Sequence, residues 1–354
     1  MATSAAASTS ASASASFGPR TTHRRGPRAR AAVVRCRADV EAGKTSSGVT
    51  SNINIKAPVG FKAPEPKKFA VADGALGTVV HSAIPLVLRL GTGALINGWK
   101  PSLVADDGTP GYAILRVAGM KLAEASDLGP RPAAPVEVFE YEGSPYCRKV
   151  REAAAVLDLD VLYRPCPAGE KHWRPMAKAE GAATFPYMKD PNTGASMAES
   201  DDIVEYLFKT YGPVANAPGG AAENATPEEL GVPMMLRRGG ITNLTCYAAA
   251  VARLKGLKAR PSRAAAAAAE GNPVAPLELW TYEASPFTKQ VREALTELAI
   301  PHVVRYCPRG SAKRDELLER TGTFQVPYLE DPNTGVKMFE SSAMVEYLEE
   351  TYAL

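Results

Sequence analysis

The sequence predicts an α/β protein in which one small domain, ordered βαβαββα, occurs twice. Three observations carry this expectation. Residues 136–211 align with 277–352 at a constant offset of 141 and need no gap, the mark of a duplicated unit. In each copy a short β-rich run leads almost at once into Ser-Pro, a favoured helix start. In each copy Asp-Pro-Asn-Thr-Gly, at 190–194 and 331–335, places proline and glycine for a tight reversal.

The elements follow in order. Val136-Glu137-Val138-Phe139-Glu140-Tyr141 and Leu277-Glu278-Leu279-Trp280-Thr281-Tyr282 alternate roughly and read as first strands. Ser144-Pro145 and Ser285-Pro286 open helices that run to about Leu157 and Leu298. Residues 160–164 and 302–306 form second strands, ended by Cys166-Pro167 and Cys307-Pro308. Polar helices follow at 170–180 and 312–320. Phe185-Pro186-Tyr187-Met188 and Val326-Pro327-Tyr328-Leu329 begin the hairpins. The last helices start at Ser200 and Ser341, each read as an N-cap serine ahead of an apolar helical stripe.

The chain has 354 residues, 45% hydrophobic and 22% charged, enough for two domains and some further chain. Residues 1–38 contain no Asp or Glu, seven Arg and a Ser/Thr/Ala run of low complexity, the composition of an organelle transit peptide. Val33-Val34-Arg35-Cys36-Arg37-Ala38 resembles a stromal processing site, and the Ala/Ser bias points to the plastid. Cleavage after Cys36 removes six arginines and takes the net charge from +3 to −3. The positive charge therefore gives no support to nucleic-acid binding. The longest apolar stretch, 76–96, carries His81, Pro85 and Arg89 and reads as a protein-packed helical segment, not a membrane span. Five Cys and four His lie scattered, without Cys-x-x-Cys spacing, so no metal site is expected.

A helix that opens straight off the first strand of a βαβαββα unit is a thioredoxin-like layout. With its Ser-Pro start, its proline before the third strand (Pro186, Pro327) and its Glu-Ser pair at the last helix, each copy resembles the N-terminal, glutathione-binding domain of glutathione transferases, and its relative glutaredoxin. The whole chain resembles plastid-targeted tandem proteins of plants and algae that carry two such domains. The resemblance implies an α/β fold of two tandem thioredoxin-like domains, glutathione as bound substrate, a small-molecule or protein thiol as second partner, and a stromal address.

It also implies roles for particular residues. Glutaredoxins carry Cys-Pro-Tyr-Cys where this chain has Ser144-Pro145-Tyr146-Cys147 and Ser285-Pro286-Phe287-Thr288, so the first thiol is missing from both copies. Ser144 and Ser285 resemble the serine of tau- and zeta-type transferases, which donates a hydrogen bond to the sulfur of glutathione. Cys147, in the first helical turn, is the alternative: a redox thiol of lowered pKa. Capping alone also explains the serines, and Cys147 is equally a small buried helix residue. Pro186 and Pro327 resemble the superfamily's cis-proline, which implies that Phe185 and Val326 pair with the cysteinyl main chain of the tripeptide. Glu199-Ser200 and Glu340-Ser341 resemble the pair that holds the γ-glutamyl end, serine and helix N–H groups meeting the carboxylate while the acid faces the ammonium. Lys149, Arg151, Lys289 and Arg292 read as exposed helix-face charge.

Outside the two domains (134–212 and 276–354), residues 1–37 are assigned to the transit peptide, 38–74 to a disordered linker, 75–133 to a helical segment, and 213–275 to a linker with a helical segment. Met234-Met235-Leu236-Arg237-Arg238-Gly239-Gly240 echoes Val87-Leu88-Arg89-Leu90-Gly91, and 264–269 is helix or plain linker. Neither segment is long enough for the all-helical domain that shapes the second-substrate pocket of ordinary glutathione transferases. Two functions remain: glutathione-dependent transfer or thiol-disulfide chemistry in the plastid, or a non-catalytic binding or scaffold protein that keeps the fold without the reaction. Oligomeric state, and whether the copies pack together, are open.

Overall fold

The computed structural model describes residues 55–67, 74 and 76–354. The expected transit peptide and residues 38–54 and 68–73 of the expected linker lie outside the described residues. Ahead of the first repeat come α1 (Leu76–Leu88) and a three-stranded antiparallel sheet of β1 (Lys100–Ala105), β2 (Arg116–Val117) and β3 (Met120–Ala125). Residues 75–133 are thus only in part the helical segment expected. β2 and β3 join through Ala118-Gly119, both at positive φ (51° and 72°), the backbone of a primed hairpin turn whose twist matches its strands.

The first repeat is β4 (Val136–Glu140), α2 (Pro145–Val156), β5 (Asp160–Pro165), α3 (Trp173–Ala179), β6 (Tyr187–Asp190), β7 (Ala195–Ala198) and α4 (Ser200–Tyr211). Between the repeats lie α5 (Gly240–Val251) and α6 (Arg263–Ala269), so the alanine run is helix. The second repeat is β8 (Leu277–Thr281), α7 (Pro286–Glu297), β9 (His302–Tyr306), α8 (Lys313–Thr321), β10 (Tyr328–Glu330), β11 (Lys337–Met338) and α9 (Ser341–Tyr352). Both therefore have the predicted βαβαββα order, and the fold is two tandem thioredoxin-like domains.

The two domains share one eight-stranded sheet in the order β11-β10-β8-β9-β5-β4-β6-β7. β5 and β9 pair antiparallel at its centre, with Leu162 opposite Val303. These two residues are repeat equivalents, so a pseudo-two-fold axis passes between them. A strand that would be an open edge in a lone repeat is covered by its own copy. Leu157, Leu159, Val161, Leu298, Ile300 and Val304 from both copies belong to one continuous apolar core.

The same axis changes the reading of the helix charges. Lys149, Arg151, Lys289 and Arg292 do not face solvent: all are buried. Glu142 accepts from Arg292 (Nε–Oε2 3.2 Å), lies 3.3 Å from Arg151 and takes Lys289. Its repeat equivalent Glu283 accepts from Arg151 (3.4 Å), from Arg292 (NH2–Oε1 3.0 Å), and faces Arg148 at 3.6 Å. Each acid thus pairs with guanidinium groups of both copies. Burial of this kind is tolerated only when each charge is compensated.

The echo ahead of each repeat also falls elsewhere than expected. Arg89 is bonded to Glu152 (NH2–Oε2 2.6 Å) and Arg253 to Glu293 (NH2–Oε2 2.7 Å), and Glu152 and Glu293 are repeat equivalents. Leu90 and Leu254 follow at the same φ of 49°. The partner of Arg89 is therefore Arg253, and Met234–Leu236 is a separate 3-10 turn. The offset differs because the sheet β1–β3 follows α1, whereas only the short α6 follows α5.

Part of the stretch assigned to a disordered linker is packed. Ile55 is buried in the main core, and the ring of Phe61 lies 5.0 Å from that of Tyr347 on α9.

Candidate functional site

The start of α2 and of α7 is built by serine caps. Ser144 Oγ accepts from Cys147 N–H at 3.2 Å and Ser285 Oγ from Thr288 N–H at 3.3 Å, with Pro145 and Pro286 at the first helical position. Both serines are almost fully buried. Cys147 is buried as well, and burial pushes its thiol up to about 12, the reverse of the lowered value expected for a redox thiol. Cys166 and Cys307 are likewise buried and shifted upward, again chiefly by burial.

The bonds Phe185-Pro186 and Val326-Pro327 are both cis. The Glu-Ser pairs differ from the expected cap. Ser200 and Ser341 are the first helical residues, and Glu199 and Glu340 hold the cap position at φ 70° without a side-chain cap bond. Both acids are non-glycine residues in the left-handed region, and they occupy equivalent places in the two copies.

In the second repeat these pieces meet around a cavity of about 380 Å³. Val326-Pro327, Glu340-Ser341, Tyr282 and Phe287 line it from the repeat itself. Tyr112 and Ile114, from the connection between β1 and β2, supply an outer wall. That wall is tied down by Arg309, whose Nε lies 3.0 Å from Glu124, and by Tyr112 N–H, which donates to Asp315 at 2.6 Å. Arg314 lies buried beside the cavity, donating to Phe324 O (2.7 Å) and Cys307 O (2.6 Å), with its guanidinium 5.4 Å from the Tyr282 ring centre. The stretch 55–67 closes one side. Lys67 N–H donates to Glu340 Oε1 at 2.8 Å, and Gln325 Nε2 donates to Lys67 O at 2.9 Å. The Glu340 carboxylate and the Gln325 side chain, one residue ahead of Val326, thus hold the main chain of Lys67 from both sides.

Ser285 stands apart from this cavity. It lines a separate void of about 10 Å³ together with Arg89, Arg148 and Lys289, which is room for about one water. The two expected parts of the second site, the helix-cap serine and the cis-proline with its Glu-Ser pair, are therefore not open to one common space.

The first repeat is packed differently. Phe185 belongs to an apolar cluster with Trp173, Met176 and Ala265 of α6, and Arg174 lies 5.0 Å from its ring centre. Glu199 accepts from Thr184 Oγ1 at 3.3 Å. The linker presses on the helix start: a Cβ on Gly143 would sit 2.4 Å from Leu257 Cδ2, so only glycine fits there. Tyr146, in the first turn of α2, shares a 2.6 Å hydroxyl contact with Tyr247 of α5. Tyr112, Ile114 and Lys67 carry no motif and lie outside the repeats; the Ala118-Gly119 turn is the one sequence signal of the wall that holds them.

Fold and site define a duplicated thioredoxin-fold protein. Residues 138–217 and 279–354 each match the family described as glutathione S-transferase, N-terminal domain. The chain is also similar to the glutathione S-transferase-like protein OpS6 of Beauveria bassiana (strain ARSEF 2860), 31% identical over 77 residues, which is 22% of this chain and 35% of that protein. The chain thus spans about a third of the length of that curated relative. No solved structure matches it. Each repeat thus pairs the thioredoxin-like fold of its elements with a match to the glutathione S-transferase N-terminal domain.

Proposed function

We propose that the protein is a plastid glutathione-binding protein whose second repeat holds the tripeptide. One observation carries this reading: a single cavity gathers Val326, Pro327, Glu340 and Ser341, the four second-repeat residues expected to hold glutathione. Arg309 and Arg314 place positive charge beside it, which suits a ligand with two carboxylates. Lys67 N–H stands where the ligand's ammonium would meet Glu340, so binding displaces that end of the 55–67 stretch. The plastid address rests on the acid-free, arginine- and serine-rich N-terminus.

Within this reading binding is better supported than turnover. Ser285 is buried and does not line the cavity, and the thiol of Cys147 is both buried and hard to ionise. A transferase or thiol-disulfide reaction on a small-molecule or protein thiol requires the α7 start to uncover Ser285. Calorimetric titration of the full chain with glutathione tests the binding: heat is expected from the wild type and its loss in Glu340→Gln/Ser341→Ala. Absence of heat at millimolar glutathione would refute it. No turnover above background in the wild type leaves the binding protein; turnover that Ser285→Ala abolishes restores the serine-assisted enzyme, and turnover equal in both removes the serine from the reaction.

A further inference from the structure

Helices α1 and α5 form an antiparallel pair laid across α2 and α7. Arg89, just past α1, donates to Thr245 (NH1–Oγ1 2.6 Å), and Arg253, just past α5, meets His81 (NH1–Nδ1 3.1 Å), the same contact with the roles exchanged. Ser82 and Pro85 of α1 and Thr242, Cys246 and Ala249 of α5 point inward and are buried. The outward side is apolar. On α1, Leu76, Val80, Ile84 and Val87 recur at helical spacing and keep 64%, 58%, 40% and 70% of their surface exposed. On α5, Ile241, Leu244 and Val251 keep 68%, 70% and 63%. Leu90 and Leu254, next in chain, extend both rows. Neither helix contains Asp, Glu, Lys or Arg.

We propose that this face docks onto the same face of a second copy of the chain. Size is the first argument. The apolar surface left bare by these side chains amounts to roughly 570 Å², taking about 100 Å² for each full side chain. That lies at the top of the ~300–600 Å² range of a monomer's largest patch, and two such faces together bury about 1,100 Å², above the ~1,000 Å² that a specific interface needs. Symmetry is the second. The pair has its own pseudo-two-fold, so its surface is nearly self-matching, as an isologous contact requires, and two such pairs stack as a four-helix layer. Charge is the third. A helix face that seats on an anionic membrane carries Lys and Arg along its polar side, and these helices have none.

Sedimentation of the full chain at about 10 µM, above the weak end of the affinity range for interfaces of this size, is expected to show a dimer. Val80→Glu/Leu244→Glu, at sites already open to solvent, is expected to give a monomer with unchanged circular dichroism. Hydrogen exchange supplies a second readout without mutation: protection over α1 and α5 rises with protein concentration. A wild type that stays monomeric, a double variant that stays dimeric, or flotation of wild type with phosphatidylglycerol vesicles in place of self-association overturns the proposal.

Discussion

At the level of single residues, serine at the two helix starts does one thing visibly: it satisfies a backbone N–H that the helix leaves without a partner. Ser285→Ala is expected to lower stability by about 1 kcal/mol, read from urea denaturation, and to leave glutathione affinity unchanged. Cys147, Cys166, Cys246 and Cys307 are all buried. Alkylation of the native protein near pH 8, followed by peptide mapping, is expected to spare these four and to reach them only in denaturant. His302 is buried against Tyr163, and burial pulls its imidazole down to about 4, below the unfolded value of 6.5. The unfolded chain therefore takes up the proton first, so this stabilisation is complete above pH 6.5 and is lost as pH falls towards 4. Glu140, pushed up to about 7 by burial, acts in the opposite sense over an overlapping window: its contribution grows as pH falls from 7 to 4.5. The difference in stability between wild type and His302→Asn isolates the histidine and is expected to shrink by about 2 kcal/mol between pH 7 and pH 5. Serine and proline at these positions were legible from local rules alone. The burial that decides what the serines and Cys147 can do depends on the other copy and on the linker, which local rules do not see.

At the level of elements, α2 and α7 show where a helix pattern misleads. Lys-x-Arg and Lys-x-x-Arg on a helix read as a solvated face when one repeat is considered, yet here they fill the space between two repeats. The charge alternation was visible; the partner across the axis was not. Glu142→Gln leaves Lys289 and Arg292 with less compensation in a dry environment and is expected to cost about 3–5 kcal/mol in denaturant titration. An exposed pair such as Arg238 with Asp202 serves as the control, and its loss is expected to cost under about 1 kcal/mol. The sheet β1–β3 was missed for a different reason. Its strands are short, mostly exposed and poor in β-branched residues, so no alternation of burial marks them. Its β1–β2 connection nevertheless supplies the outer wall of the second-repeat cavity.

For the molecule as a whole, duplication was the most legible feature, because a constant offset without gaps survives when individual residues diverge. The joining of the two sheets through β5 and β9 was not legible, since each strand alone satisfies the pattern of a lone domain. A fragment limited to residues 134–212 exposes the β5 edge and the α2 charges together. It is expected to self-associate through β5 or to precipitate, as light scattering on the purified fragment reads out.

The closeness of the interlock has one more consequence. Gly219-Gly220 lies in an exposed turn, both glycines at positive φ, on the only strip of backbone that ties the halves covalently. With α1 packed on α7, α5 on α2 and acids shared across the axis, that tether adds little to cohesion. Nicked there by a protease, the molecule should travel on native gels as an intact pair of polypeptides, as a homodimer of two such halves would.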